Sequence, residues 1–560
     1  MSFLIVAVVG LLAVAAAAAL APRMRIAAPL ILVVVGIGVS FLPFIPTVEI
    51  DPEWILAGVL PPLLYSASVS MPTMNFRREF NAIGGLSVAL VVISSIVLGL
   101  FFAWVIPGLG LWWGIALGAI VSPTDAVATS IVKKVGVSGR VVSVLEGESL
   151  LNDATALVLL RTAIAGTAAA VSFWGVLGTF VYAVAVAVVF GFVVGHLNLW
   201  VRSKVTDSTV NTVISFAVPF LASIPAELLG ASGLVAAVVA GLITGHGAAR
   251  SLPPQHRLSD SQNWHAIELI LEGAVFLVMG LELFGIVVDV QNDHGGVATA
   301  IGIAAAALLL VVIVRAAYVS PLLAGLRRRA RRAQRAKPRL DALQQKLETS
   351  QGASDRPRAP RRPAATPERV ARFATRTRRM IADIDFLLAA PLGWRDGGIL
   401  VWAGMRGAVT LAAAQTLPAN TPDRSLLVLI AFIVAAGSLL IQGSTLSGFV
   451  AWIKPAQGAE DDSNEERGSI LELLDEAKRQ VTDAAAGAVG EADAGVGEAD
   501  ARADHAATKT LDLAVIAAQR TALLDARDDG TFTAETLNGA LANLDADQIS
   551  IELKGAPPDL

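Results

Sequence analysis

The chain contains no cysteine among its 560 residues, which excludes disulfides and thiolate metal sites without fixing a compartment. It is also short of charge. Asp, Glu, Lys and Arg make up 16% of the sequence, against roughly a quarter in an ordinary soluble domain. Its six histidines are scattered, with no metal-ligand spacing, and His196 stands alone in an apolar run as a packed or interfacial residue would. Residues 2–21 are apolar but carry no basic segment ahead of them, so they read as a retained span rather than a cleaved signal peptide. Two protease signatures are missing. There is no Gly-x-Gly-Asp string for an intramembrane aspartyl protease. There is no Gly-x-Ser-x-Gly for a rhomboid-type serine protease, because Ser149 is followed by Leu150 and Leu151.

What the chain does have is apolar length. Hydrophobic residues make up 54% of it and the mean hydropathy is +0.64, which predicts an all-α polytopic membrane protein. A window of about 19 residues gives about 13 transmembrane spans. They lie near 2–21, 25–46, 54–70, 83–106, 110–133, 142–170, 173–200, 208–225, 226–246, 263–284, 298–325, 395–417 and 425–450. The net charge of -4 is less informative than where the charges fall. Arg23 and Arg25, Arg77 and Arg78, Lys133, Lys134 and Arg140, Arg202 and Lys204, and Arg250 and Arg257 occupy alternate loops. The loops between them hold Asp51, Glu53, Asp289 and Asp293. Positive charge is retained in the cytoplasm, so the pattern places the N-terminus outside, the C-terminus in the cytoplasm, and the chain in the cell membrane.

Three segments stand apart. Residues 327–380 form a long Arg-rich loop, read as a solvated cytoplasmic segment with anionic lipid headgroups as its partner. It lacks the interleaved aromatics of a nucleic-acid binder, and no nucleic-acid partner is expected. Residues 453–510 are acidic and Ala/Gly-rich, with Gly-Glu-Ala-Asp-Ala at 490–494 and again at 497–501; this composition predicts a linker with weak helices. Residues 511–560 predict a small helical tail, one helix stopping before Asp528-Asp529-Gly530 and a second over 533–544.

Charges inside the membrane carry the chemistry. Asp125, in Ser122-Pro123-Thr124-Asp125-Ala126, and Asp153, in Gly147-Glu148-Ser149-Leu150-Leu151-Asn152-Asp153, both interrupt apolar runs. An ionisable group at that depth is expensive unless paired, hydrated or carrying an ion, and is by default a functional candidate. Residues on a helix advance about 100° each, so Ser149 shares a face with Asp153, and Glu148 with Asn152. Gly404-Met405-Arg406-Gly407 interrupts another run, and Arg315 lies within a third. Arg406 is permanently charged and needs a buried anion; Glu148, Asp125 and Asp153 are the available ones. The spans at 110–133 and 395–417 are each broken next to a charge and are seven spans apart, which makes them antiparallel. Two inverted six-helix repeats with crossed broken helices follow, with Asp125 and Arg406 placed to compensate the half-helix ends.

Ser122-Pro-Thr-Asp-Ala-Val127, Gly147-Glu-Ser-Leu-Leu-Asn-Asp-Ala154, Leu60-Pro-Pro-Leu-Leu64 and Gly404-Met-Arg-Gly407 resemble the cation:proton antiporter-1 group, which includes the sodium/proton exchangers of the NhaP type. The resemblance covers roughly residues 1–452. It implies a transporter rather than an enzyme, with no cofactor. Asp153 would bind the ion or the proton, Thr124 and Ser149 would supply oxygens, Glu148 would pair with Arg406, and Asp125 and Asn152 would shape the crossing. An acid follows the Leu-Pro-Pro-Leu-Leu string in related exchangers; Tyr65 and Ser66 stand there here, which makes Ser66 a candidate ligand. Arg315 is a further structural partner. The family also implies a homodimer, with dimerisation spans at about 1–70 and 208–284 and a moving core at about 83–170 and 298–450. Asn152 stands where electrogenic relatives carry a second acid, which implies electroneutral one-for-one exchange of Na+ for H+, serving pH and cation homeostasis. K+/H+ antiport on the same fold and a cation channel without proton coupling are the alternatives. The residues leave open whether Glu268 and Glu272, an i, i+4 pair, line the path.

Overall fold

A computed structural model of the chain describes residues 2–24, 26–42, 51–168, 173–292, 296–351, 367–389, 391–454, 460–489 and 498–553. All regular structure in them is helical. In chain order the helices are α1 (Ser2–Met24), α2 (Ala28–Ser40), α3 (Leu60–Ser70), α4 (Thr73–Gly84), α5 (Val91–Val105), α6 (Leu111–Val121) and α7 (Val127–Lys134). Next come α8 (Gly139–Ala168), α9 (Phe173–Arg202), α10 (Ser208–Leu228), α11 (Gly233–Ser251), α12 (Pro254–Leu281), α13 (Leu283–Asn292) and α14 (Val297–Gln351). The remainder are α15 (Pro367–Ala389), α16 (Trp394–Trp402), α17 (Ala408–Gln415), α18 (Arg424–Ile453), α19 (Glu460–Val489), α20 (Glu498–Asp529) and α21 (Ala534–Leu553). Short π-helical turns, Trp54–Val59 and Gly85–Leu90, lead into α3 and α5.

Each of the thirteen expected segments falls on one helix or on a consecutive pair. By length and composition, eight helical segments among the described residues are apolar enough to cross a membrane. Ala28–Ser40, Trp54–Ser70 and Leu111–Val121 are apolar but shorter, and α8 is 30 residues long but carries Glu146, Glu148, Asp153 and Arg161.

The chain divides into two compact units. The first comprises Met1–Leu252, Leu258–Ala324 and Leu392–Gln457. Within it α3, α9, α10 and α11 pack on one another, while α5, α6, α8, α17 and α18 form a second set of neighbours. Small residues let these helices approach closely, as expected where lipid removes the hydrophobic drive between them. A Cβ on Gly118 of α6 would lie 2.3 Å from the Ser95 carbonyl of α5, and one on Gly245 of α11 would lie 2.3 Å from the Val69 carbonyl of α3.

The second unit comprises Pro253–Arg257, Gly325–Pro391 and Gly458–Leu560. The stretch expected as a loop over 327–380 is helical where described: α14 runs to Gln351, and α15 begins at Pro367. Ala, Arg, Gln, Lys and Leu are strong helix formers, and charge does not stop a helix whose flanks are solvated. Residues 352–366 lie outside the described residues. The expected weak helices of 453–510 are long ones, α19 and the first turns of α20, and the tail follows as α20 and α21. The first acidic repeat, 490–494, lies outside the described residues. In this unit the carboxylate of Asp545 pairs with both Arg257 and Arg520.

Candidate functional site: a buried carboxylate beside two crossed helix breaks

Two helix pairs in the first unit are interrupted, at 122–126 between α6 and α7 and at 403–407 between α16 and α17. Pro123 has no N–H to continue α6. The breaks touch through their main chains: Asp125 N–H donates to Met405 O at 2.8 Å. Such a bond satisfies backbone groups that the helix breaks leave free.

Side chains complete the crossing. Asp125 Oδ1 accepts from Val127 N–H at 2.9 Å, at the start of α7. A Cβ on Gly407, which precedes α17, would fall 1.3 Å from Asp125 Oδ2, so only glycine fits there. One carboxylate therefore lies against two helix N-termini, where the helix dipoles favour negative charge. Arg406 does the converse. Its Nε donates to Val121 O at 2.9 Å and its guanidinium reaches Ser122 O at 3.3 Å, both at the end of α6, and it also donates to Gly404 O. Its own N–H is held by Ser438 Oγ of α18 at 2.8 Å.

Glu148 is the next layer. Arg315 grips it through both guanidinium nitrogens, one of them at 2.8 Å from Oε2, and both side chains are 2% exposed. Arg315 Nε also donates to Leu400 O at 2.7 Å, near the end of α16. Gly404 leaves the room: a Cβ there would sit 2.6 Å from Arg315 Cδ. Thr124 donates to Glu148 Oε1 at 3.0 Å, and Asn152 donates to Thr124 Oγ1 at 2.9 Å and to Thr124 O at 2.8 Å. The amide oxygen of Asn152 is left buried without a partner.

A cavity of about 450 Å³ reaches this crossing. Exposed Lys133, paired with Glu146, and exposed His265, 3.9 Å from Glu268, stand at its mouth. Deeper in, Asp125, Thr124, Ser149 and Asp153 line it together. Leu60, Leu64 and Leu150 form the apolar wall. Asp153 is buried, and no hydrogen bond or ion pair to it occurs among the described residues. The neighbouring hydroxyls are turned the other way. Ser149 donates to Glu146 O at 3.0 Å, and Thr124 has spent its proton on Glu148. Each oxygen is left as an acceptor. An unpaired carboxylate flanked by acceptor oxygens suits a hard monovalent cation or a proton, whereas a fixed donor would repel both.

A model of the transmembrane sodium/hydrogen exchanger family matches residues 9–343 and 370–452. The chain belongs to the sodium/hydrogen exchanger family. It is 36% identical over 271 residues to a Na+/H+ exchanger of Escherichia coli, covering 47% of this chain and 49% of that one. The chain thus spans about half of that relative's length. It is 28% identical over 461 residues to a Na+/H+ exchanger of Mycobacterium tuberculosis, covering 80% and 74%. It is 32% identical over 266 residues to a sodium, potassium, lithium and rubidium/H+ antiporter of Bacillus pumilus, covering 46% and 39%. The fold matches the structure of the sodium proton antiporter MjNhaP1 from Methanocaldococcus jannaschii, with a TM-score of 0.56 at 15% identity over 81% of this chain and 99% of that one.

In this chain, Asp153, Thr124, Ser149 and Asp125 share one cavity, while Asn152, Glu148, Arg315 and Arg406 are absent from its lining and bond to one another's elements beside it. Two expectations do not survive. The direct ion pair of Glu148 is with Arg315 rather than Arg406, which instead caps α6. Both arginines read alike in the sequence, and only the path of α14 decides between them. Ser66 is buried but does not line the cavity; on α3 it is Leu63, Leu64 and Ala67 that face it. Glu268 and Glu272, whose place the sequence left open, both line the cavity. Their i, i+4 spacing on one face of α12 was the available signal.

Proposed function

We propose that the protein is a secondary active antiporter that exchanges a monovalent cation, Na+ first among them, for H+ across the cell membrane, with Asp153 as the single carboxylate that carries both. The observation that supports this most directly is the buried Asp153 in the wall of a cavity, without a partner among the described residues and with the Thr124 and Ser149 oxygens of the same lining left as acceptors. A proton and a cation then compete for one site. Loaded with either, Asp153 is neutralised and the core can move; empty, its uncompensated charge opposes crossing, so exchange is obligatory. The charge-compensated crossing would form the rigid floor of the moving part, and the expected core and dimerisation spans of a homodimer would move against each other. The role would be cation and pH homeostasis.

K+/H+ antiport is the second reading, because the Bacillus pumilus relative is named for sodium, potassium, lithium and rubidium. Purified protein in proteoliposomes with a trapped pH dye, given each cation in turn, tests both. Alkalinisation or acidification that follows Na+ but not choline supports the proposal, and a response to K+ at lower concentration than Na+ selects the second reading. Cation flux without proton movement would make the protein a channel and sink the proposal. The proposed orientation, N-terminus outside and C-terminus cytoplasmic, predicts that a cysteine placed at Ser203 is labelled by an impermeant maleimide only from the cytoplasmic side. Labelling from outside would reverse it.

A further inference from the structure

A second cavity of about 220 Å³ lies in the first unit, along the other half of α8. The face of α8 that lines it runs through Ala154, Leu157, Val158, Arg161 and Ala165, the spacing of a single helical stripe. The first cavity is lined by Glu146, Ser149, Leu150 and Asp153 of the same helix. The two linings thus adjoin along α8 at Asp153 and Ala154. Leu64 and Leu150 of the first lining and Ala154 and Leu234 of the second belong to one packed apolar cluster.

One ion pair joins opposite sides of the far cavity's lining. Arg161 lies 3.8 Å from Glu227 at the end of α10. Every other described side-chain hydrogen bond from the C-terminal half of α8, those of Thr155, Thr162 and Thr167, stays within α8. The opposite wall is fixed. Gly230 turns the chain at φ +72°, where an L side chain would be strained. Tyr182 of α9 donates to Leu229 O at 3.1 Å, Ser232 N–H donates to Ala183 O at 3.3 Å, and Ser232 caps α11. Gly233 leaves space for the Glu227 stem, since a Cβ there would come within 2.7 Å of it. Glu227 is thus held in place by a pinned turn, while Arg161 reaches it from a helix with no other polar hold there. Both are well exposed, 62% and 39%. An ion pair of this kind is weak and breaks easily, as a contact remade in every transport cycle must be.

We infer that Arg161 and Glu227 form the latch of the far gate: paired, they tie α8 to α10 across the second cavity while Asp153 faces the first, and unpaired, they let α8 swing away and leave Glu227 as the carboxylate that draws the monovalent cation in from that side. This rests on the proposed antiport, and it assigns the pair a positioning role rather than a place at the ion.

The absence of cysteine gives a direct test. A double variant, R161C with E227C, is reconstituted and exchange is recorded before bridging, after a short bifunctional thiosulfonate, and after reductant. The unbridged protein should exchange, the bridged protein should stop, and the reductant should restore it, while a monofunctional reagent leaves the rate within about twofold. Exchange that persists in protein shown to be bridged overturns the latch. So does failure of the two thiols to bridge, or a folded double variant that is inactive before bridging. A second arm reads sidedness. R161Q should lower the cation concentration for half-maximal exchange from the far side by about two- to fivefold, and E227Q should not, because it removes the recruiting carboxylate with the latch. Equal values for both variants and the wild type on both sides also overturn it. If the wild-type protein shows no cation-coupled proton movement, the antiport reading has failed instead.

Discussion

Asp153 and Glu148 are five residues apart on one helix, yet they face opposite requirements. Glu148 is held by Arg315, Thr124 and a path to Asn152. Asp153 has no such hold among the described residues and faces a cavity. Removing one partner of the Glu148–Arg315 pair leaves a buried, unpaired charge, at a cost on the order of 3–5 kcal/mol. Glu148→Ala and Arg315→Ala should each lower the melting temperature of the detergent-solubilised protein. The double variant should melt higher than either single one, and additive losses would argue against the pair. Asp153→Asn should behave in the opposite way. With no protein partner to lose and a buried charge removed, the variant should melt at or above the wild-type temperature. It should nevertheless exchange no protons, since an amide does not cycle one, and robust exchange by a folded Asp153→Asn protein would remove the residue as carrier. That these charged residues come together was legible, because charge inside an apolar run has few explanations. Which guanidinium meets which carboxylate was not. Arg315 and Arg406 each stand alone in apolar sequence, and their partners are 167 and 285 residues away.

At the scale of the element, the two breaks form one device. In Gly404-Met405-Arg406-Gly407, Gly404 leaves room for Arg315 and Met405 offers its carbonyl to Asp125 N–H. Arg406 caps α6, and Gly407 leaves room for the Asp125 carboxylate. The sequence announced the breaks through Pro123 and the paired glycines, and their opposed charges suggested that they compensate helix ends. It did not announce that α14 would lie close enough to claim Glu148, since helix packing partners are not encoded in local periodicity. Gly407→Ala discriminates the geometry from mere flexibility. A Cβ at 1.3 Å from Asp125 Oδ2 cannot be absorbed by a small shift, so the variant should lose exchange and fold poorly. Gly437→Ala, on α18 with nothing within 4 Å of the added atom, should fold and exchange like the wild type. Equal behaviour of the two variants would mean that Asp125 does not sit against the start of α17.

Across the molecule, the segment order and the loop charges followed from composition, because a lipid environment leaves the backbone few choices. The tail and the Arg-rich stretch were harder to read, since the same solvated composition supports a helix or a coil with little free-energy difference. The charge balance of the crossing leads to the stoichiometry. Asp125 and Glu148 are matched in charge by Arg406 and Arg315, and Asn152 adds no charge, so among the described residues of the crossing and α8 Asp153 is the cavity-lining carboxylate left without a cationic counterpart. Glu268 and Glu272 are on α12, outside the helices of the crossing, and would stay behind if those helices move. On the proposed mechanism a site with one such carboxylate would take one proton for one monovalent cation in the opposite direction, both loaded forms would carry the same charge, and no net charge would cross the membrane. In proteoliposomes with the potential clamped by valinomycin and potassium, the rate of Na+/H+ exchange should be the same at zero and at an imposed potential of about 100 mV, where one moving charge is worth about 2.3 kcal/mol. Rate against pH should rise and then fall, since protons block cation loading when abundant and fail to reload the site when scarce. A rate that follows the imposed potential would mean that a second charge moves with Asp153, and Glu272, on the wall of the same cavity, would be the first residue to neutralise.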